Sequence, residues 1–407
     1  MHYLKFLACA LSLASAGVFA SPKQSTSQSA VNPYIGTVAY ANQAYAKKLD
    51  ETIQYFTKKF DFVNAARTRT IQKIPTFAWV SANKDVASIK GLVQEALTAQ
   101  LLTRQKQVLQ LVVYNLPDRD CSASASDGEF HLSDDGLNKY KAFIDCDFLA
   151  AIAAQLSTPQ AKKINVVVIL EPDSLGNVVT NLGVEKCTNA APAYKAGIAY
   201  AIAKFQLPNL SIYLDAAHGG WLGWDGNLEP AAEVFAEVLQ NAQNITHGAT
   251  VRGLSINVSN YNQYVSVVRE NFTEWSNSWD EFHYVNSLTP HLQTAGYPAH
   301  FIVDQGRAGK GAIRTDWGQW CNIAGAGFGT KPTASQSVLN NTNVDAIVWV
   351  KPGGESDGTS DPSAARFDAN CVSPVSQVPA PEAGSWFNAY VVNLVKNADP
   401  PLQLTYF

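Results

Sequence analysis

Two short stretches place carboxylates where they could do chemistry. Residues 114–121 read YNLPDRDC and residues 168–175 read VILEPDSL, and each follows an apolar, β-branched run. Asp118 and Asp120 in the first stretch, and Glu171 and Asp173 in the second, therefore sit where a buried strand ends. Paired carboxylates at strand C-termini suit acid-assisted hydrolysis, with one group holding a proton and its neighbours tuning it or activating water.

Positioning them requires a scaffold that brings many strand ends together. Apolar runs recur at 77–80, 108–114, 164–171, 210–215, 251–257, 300–304 and 346–351. Most are separated by helix-like stretches, at 87–102, 136–156, 191–205 and 230–241. Strands alternating with helices predict a parallel sheet, and continuous rather than alternating apolarity predicts burial of both its faces. Seven such units favour an α/β fold with a closed or nearly closed β/α barrel over an open doubly wound sheet. An open dinucleotide-binding sheet is disfavoured, because no GxGxxG follows the first strand. At the strand ends stand Trp79; Tyr114, Asp118 and Asp120; Glu171 and Asp173; Asp215 and His218; Asn257; Asp304 and Arg307; and Lys351, Glu355 and Asp357. Any one of these could be a turn or cap residue. Together they describe a catalytic rim.

Other chemistries lack their signatures. The chain has no GxSxG elbow, no P-loop, no CxxC, no HExxH and no HxH. Serine-type catalysis, phosphoryl transfer and a metal site are disfavoured, and no cofactor is expected. A net charge of −4 argues against nucleic acid or an anionic membrane as partner. Charged residues make up 16% of the chain, yet it holds 9 Trp, 16 Tyr and 18 Phe. Most of these aromatics should be core, but the surplus suits an uncharged, ring-shaped substrate. Carboxylate-mediated glycoside hydrolysis remains.

Residues 1–20 read as a secretory signal peptide, too short and wrongly flanked for a membrane span. Residues 21–31 form a Ser-rich tail, and 32–407 one catalytic domain. A secreted, extracellular monomer is expected. Removing Cys9 with the leader takes six cysteines to five in a disulfide-permitting compartment. Asn209, Asn244, Asn257, Asn271 and Asn340 open N-glycosylation sequons.

From Asn32 onward the chain resembles glycoside hydrolase family 6, of the fungal cellobiohydrolase II type. The resemblance is carried by YNLPDRDC (114–121), EPDSLGNVVTNLG (171–183), LDAAHGGWLGW (214–224), DQGRAGK (304–310), WGQWCN (317–322) and WVKPGGESDGTSD (349–361). It implies a distorted seven-stranded β/α barrel with long loops roofing the active site. The implied activity is hydrolysis of β-1,4 bonds in cellulose and cello-oligosaccharides with inversion, releasing cellobiose mainly from non-reducing ends. An endoglucanase of the same family is the alternative, and a non-catalytic glucan-binding protein a weaker one.

By position in these motifs, Asp173 is the implied proton donor and Asp120 the neighbouring carboxylate that raises its pKa and helps activate water. Arg119 would orient and charge-balance the pair, and Tyr114 would press on the sugar at the cleavage point. Trp79, Trp221, Trp224 and Trp320 match sugar-stacking platforms, while His218, Asn257, Lys351 and Glu355 could bond hydroxyls. Asp357 can pair with Lys351 and Arg307, which makes it a poor base and assigns it to binding. The catalytic base stays open. Trp275, Trp279 and Trp349 are left as core or rim. The expected bridges are Cys121–Cys187 and Cys321–Cys371, with Cys146 left as a free thiol. Asn115 stands where the family often has Asp, Ser356 where some relatives have Cys, and no cellulose-binding module accompanies the domain.

Overall fold

The run from Gln107 to Val113 is buried along its whole length and forms the strand around which the sheet is organised. In the computed structural model, which describes residues 31–156 and 164–406, eight parallel strands make one curled sheet. They are β1 (Val38–Ala39), β2 (Ala78–Val80), β3 (Gln107–Val113), β4 (Asn165–Leu170), β5 (Leu210–Asp215), β6 (Gly253–Ile256), β7 (Phe301–Asp304) and β8 (Val344–Val348). Their order is β1-β3-β4-β5-β6-β7-β8, with β2 also on β3. β1 pairs with the start of β3, Val38 opposite Gln107, and β2 with its end, Val80 opposite Val113. These two short strands share one position in the sheet, so seven positions go round the barrel.

Between β8 and β2 no ladder forms, and the barrel is distorted there. Two bonds stitch the seam: the Phe77 N–H donates to the Trp349 carbonyl at 3.2 Å, and Trp79 Nε1 to the Val350 carbonyl at 3.0 Å. Alternation decides what fills the interior. Val108 and Val112 of β3, Val167 and Ile169 of β4, and Tyr213 of β5 point inward with Phe77, Ile302, Ala346 and Val348. Leu109, Leu111, Val113, Val166, Val168 and Leu170 point outward under the helices. Each such side chain is worth roughly 1.5–3 kcal/mol of burial.

The helical cover departs in detail from the expected boundaries. The single helix expected over 136–156 is interrupted. α-Helix runs over Gly136–Ala142 and Ala150–Leu156, with a π-helical segment, Phe143–Leu149, between them. The helices over Pro192 and Pro230 start upstream of those prolines, at Glu185 and Asp225. Gln43–Lys58, Phe62–Ile71 and Asn388–Lys396, none singled out above, enclose a second core around Tyr45, Leu49, Phe56, Trp349 and Tyr390.

Disulfides link Cys121 to Cys187 and Cys321 to Cys371. Cys146 is disulfide-bonded too, and no described cysteine is free. The free thiol expected there is corrected. That expectation came from an odd count reached by setting Cys9 aside. The leader at 1–20 lies outside the described residues, as does the 21–31 tail except for Val31. Among the described residues no helix is long and apolar enough to cross a membrane.

Candidate active site

At the strand C-termini the backbone turns through an unusual number of left-handed residues: Asp120 (φ 56°), Glu171 (φ 52°), Asp173 (φ 66°), Ala217 (φ 52°), Asn257 (φ 60°) and Ser259 (φ 58°). Non-glycine residues pay for this conformation with strain, which persists where surrounding structure enforces it and clusters at functional sites. Here it turns side chains from several strand ends toward one cleft of about 550 Å³.

Asp173 follows β4. Its N–H donates to Asp215 Oδ2 at 2.9 Å, so the ends of β4 and β5 are tied and two carboxylates brought together. The Asp173 carboxyl is raised well above the usual range, first by burial, then by the charges of Asp215 and Asp120, with Lys351 opposing. Asp215 is raised as well, by burial. Asp120 still borders the cleft, accepts the Ser126 N–H at 3.2 Å, and is raised by burial. Burial and the neighbouring charges thus favour the protonated form of Asp173.

Asp357 faces the same cleft but differs electrically. Burial would raise it, yet Arg307 and Lys351 outweigh burial and hold it below the ordinary carboxylate range. Arg307 Nη1 donates to both its oxygens, at 2.8 and 2.7 Å, and Tyr261 and the Asn322 N–H add 3.0 and 2.9 Å bonds. Such a carboxylate is a poor proton acceptor.

The aromatic walls follow. Trp79 meets Tyr114 edge-to-face at 5.7 Å, and Lys351 Nζ lies 5.5 Å from the Trp79 ring centroid. In the turn 218–224, Trp221 Nε1 donates to Thr180 Oγ1 at 2.7 Å and Trp224 Nε1 to the Gly220 carbonyl at 3.0 Å. Trp320 lines the cleft as well. His218 Nδ1 faces two donors, the Gly220 N–H at 3.2 Å and Asn262 Nδ2 at 3.3 Å, which assigns its proton to Nε2. Burial, and then Arg314, pull its pKa down to about 3, so it serves as a neutral donor.

Three expected site residues lie off the lining. Arg119 is a brace: its guanidinium stands 4.4 Å from the Tyr114 ring centroid and donates to the Tyr114 carbonyl, to Ser81 O at 2.7 Å and to Ser126 O at 2.8 Å. Asn257 is fully buried, its amide donating to the Asn262 and Asp304 carbonyls at 2.8 and 2.7 Å. Glu355 turns away to Lys48, 2.8 Å distant. Glu171 is likewise structural. It is buried, pushed up by burial to about 7, and accepts the N–H groups of Asn115 and Leu116.

The cleft also holds residues not singled out from the sequence. Trp317, in the same motif as Trp320, lines it so tightly that a Cβ on Gly220 would lie 1.8 Å from its ring. The paired glycines before Trp221 were the signal for it. Ser122, Ala123 and Ser126 bring loop 121–132 over the acids. That loop meets loop 353–381: the Ser124 N–H donates to Asp368 Oδ2 at 3.2 Å, and Ala125 packs where a Cβ on Gly358 would stand. Among the described residues no group of three or more His, Cys, Asp or Glu could hold a metal ion.

A parallel barrel with a buried proton-holding carboxyl in an indole-lined cleft defines a carbohydrate hydrolase. The family model for glycosyl hydrolases family 6 matches residues 34–398, and the chain belongs to that family. It is 46% identical over 388 residues to the 1,4-beta-D-glucan cellobiohydrolase CEL6B of Podospora anserina, covering 95% of this chain and 87% of that protein. It is 42% identical to exoglucanase 2 of Hypocrea jecorina, covering 91% and 75%. The crystal structure of CcCel6C, a family 6 enzyme from Coprinopsis cinerea, superposes with a TM-score of 0.89 at 60% identity, covering 92% of this chain and all of that one. Cellobiohydrolase II of Humicola insolens, solved with glucose and cellotetraose, gives 0.84 at 40% identity, covering 91% and 100%.

Proposed function

We propose that the protein is a secreted cellobiohydrolase that hydrolyses β-1,4-glucosidic bonds of cellulose and cello-oligosaccharides with inversion, working from non-reducing chain ends. The observation that carries this reading is the acid cluster. Asp173 alone combines a strongly raised pKa, like charges at Asp215 and Asp120, and a place in the cleft that the indoles of Trp79 and Trp221 also line.

A glucan chain lies across Trp79, Trp320, Trp221 and Trp224, its apolar CH faces on the rings and its hydroxyls bonded by Lys351 and the His218 Nε2–H. Tyr114, braced by Arg119, presses on the sugar at the cleavage point. Asp173 protonates the glycosidic oxygen as the bond to the anomeric carbon breaks. Water enters from the opposite face, its proton passing to Asp120, which regains acceptor capacity as Asp173 loses its own proton. Asp357, held by Arg307, balances charge and takes no proton. The meeting of loops 121–132 and 353–381 supports a roofed cleft, which a chain must enter by its end.

A time course of cellotetraose hydrolysis by NMR should show the α-anomer first. Initial β-anomer means retention and sinks the mechanism. Carboxymethyl-cellulose viscosity should fall little per reducing end released; a steep fall per bond cut assigns internal cleavage instead.

A further inference from the structure

Of the nine tryptophans, only Trp275 stands mostly in solvent, at 85% exposure. It sits on segment 265–280, which also exposes Val267 and Val268. Large apolar side chains held in water at one place mark a binding surface. Two features show that this one is built. Arg269 knots the tip, its guanidinium donating to the carbonyls of Thr273, Glu274 and Ser276, the last at 2.8 Å, and lying 4.8 Å from the Trp279 ring centroid. The knot fixes the backbone on both sides of Trp275, so little order remains to be lost when a partner binds. The segment is also fastened beside the cleft at two points. Phe272 stands edge-on to Trp317 at 5.2 Å, and Trp317 lines the cleft. Asn277 Nδ2 donates to the carboxylate of Asp225 at 3.1 and 3.2 Å, next to the lining residue Trp224.

We infer that Trp275 is an additional sugar-stacking platform outside the cleft, engaging the β-1,4-glucan chain where it runs on past Trp224. The inference rests on the β-glucanase reading above and extends it from the cleft to the polymer surface. Its occupant follows from continuity: the segment carrying the exposed indole is tied through Asn277 to Asp225, next to the Trp224 platform, and Asn277 and Glu274 flank it with groups for hydroxyls. Only chains longer than the cleft reach it. Such a platform supplies adhesion to the polymer beyond what the cleft provides.

The test compares Trp275→Ala and Trp275→Tyr with the parent on amorphous cellulose and on cellotetraose. All three proteins carry Asn271→Gln, which removes the sequon Asn271-Phe272-Thr273 and with it a glycan that could cover the indole. Trp275→Ala should adsorb to amorphous cellulose about three- to tenfold more weakly, the loss expected for one stacked ring. Trp275→Tyr should recover most of it, and cellotetraose turnover should be equal in all three. Unchanged adsorption of Trp275→Ala overturns the inference. So does an equal loss of adsorption to polystyrene beads, which would make the patch merely apolar. A parent that adsorbs through Trp275 yet leaves cellotetraose uncut would instead overturn the hydrolase reading and leave the platform standing.

Discussion

Asp345 and Asp173 are carboxylates enclosed at opposite ends of the same barrel, and their surroundings could hardly differ more. Asp345 begins β8 and receives Arg252 as a fork, Nε to Oδ2 at 2.8 Å and Nη2 to Oδ1 at 2.7 Å, with the Tyr213 hydroxyl at 2.7 Å. Asp173 follows the other end of β4 and faces Asp215, Asp120 and Asp357, with Lys351 the opposing cation. At the first end, charge is met by charge and the pair fastens β8 to β6 and β5. At the second, like charges crowd together, and the cluster responds by holding a proton. Burial is common to both, so burial alone does not mark a catalytic acid. The signature is a carboxyl whose neighbouring acids outnumber its cations, on strained backbone, with access to a cleft.

The largest way to break this contrast is Asp173→Asn, which keeps the shape and removes the transferable proton. Turnover of cellotetraose should fall about 10²–10⁴-fold while thermal unfolding stays at or slightly above that of the parent, because a crowded acid has been neutralised. A loss of less than tenfold would move the acid elsewhere. At the other end, Arg252→Ala leaves Asp345 buried without its partner and should cost about 3–5 kcal/mol of stability. Activity per folded molecule should change less than twofold, measured below the lowered melting point. If Arg252→Ala instead slowed turnover without lowering stability, the division of the barrel into a fastening end and a reacting end would fail.

How far these features were legible in the sequence depended on what each required. Long, mostly apolar runs announced β3 to β8 because burial on both faces favours apolar residues at successive positions. β1, two residues long, and the helix Gln43–Lys58 gave no comparable signal. The reacting carboxylates were legible as strand ends, but position in sequence does not fix where a side chain points. Asn257 and Glu355 hold rim positions, yet a left-handed backbone turns the first under the floor and Lys48 draws the second away. Arg119 was legible as a neighbour of Asp120, whereas its service to Tyr114 depends on how the chain folds back through Ser126. Trp317 was missed because the signal for its place, Gly220, lies distant from it in sequence. The π-helical segment at Phe143–Leu149 has no period that differs enough from an α-helix to be read.

A smaller effect sharpens the contrast by testing a buried acid outside the reacting cluster. Glu281 is fully buried beneath the turn that carries His218, accepting the Gly219 N–H at 3.0 Å and Asn262 Nδ2 at 2.7 Å through Oε1, while Oε2 finds no protein partner. Burial pushes its pKa up to about 8, against the ordinary 4.5. Between those two values the folded chain keeps a proton that the unfolded chain has released, so this contribution to stability is complete below about 4.5 and disappears as pH rises through 8. Where Glu281 alone titrates, the slope is roughly 1.4 kcal/mol per pH unit. Glu171 and Asp215, each raised to about 7, and the strongly raised Asp173 steepen the same fall, so the share of Glu281 is the difference in slope between parent and variant. Glu281→Gln preserves the accepting oxygen and replaces the ionisable one with an amide. Urea midpoints at pH 5, 7 and 9 should therefore fall steadily for the parent and less steeply for the variant. Because His218 keeps its Gly220 and Asn262 donors, turnover at pH 5 should stay within a few-fold of the parent. An unaltered slope would mean that Glu281 is ionised throughout, its charge met by Arg314, and would place it with Asp345 among the paired acids rather than with Asp173.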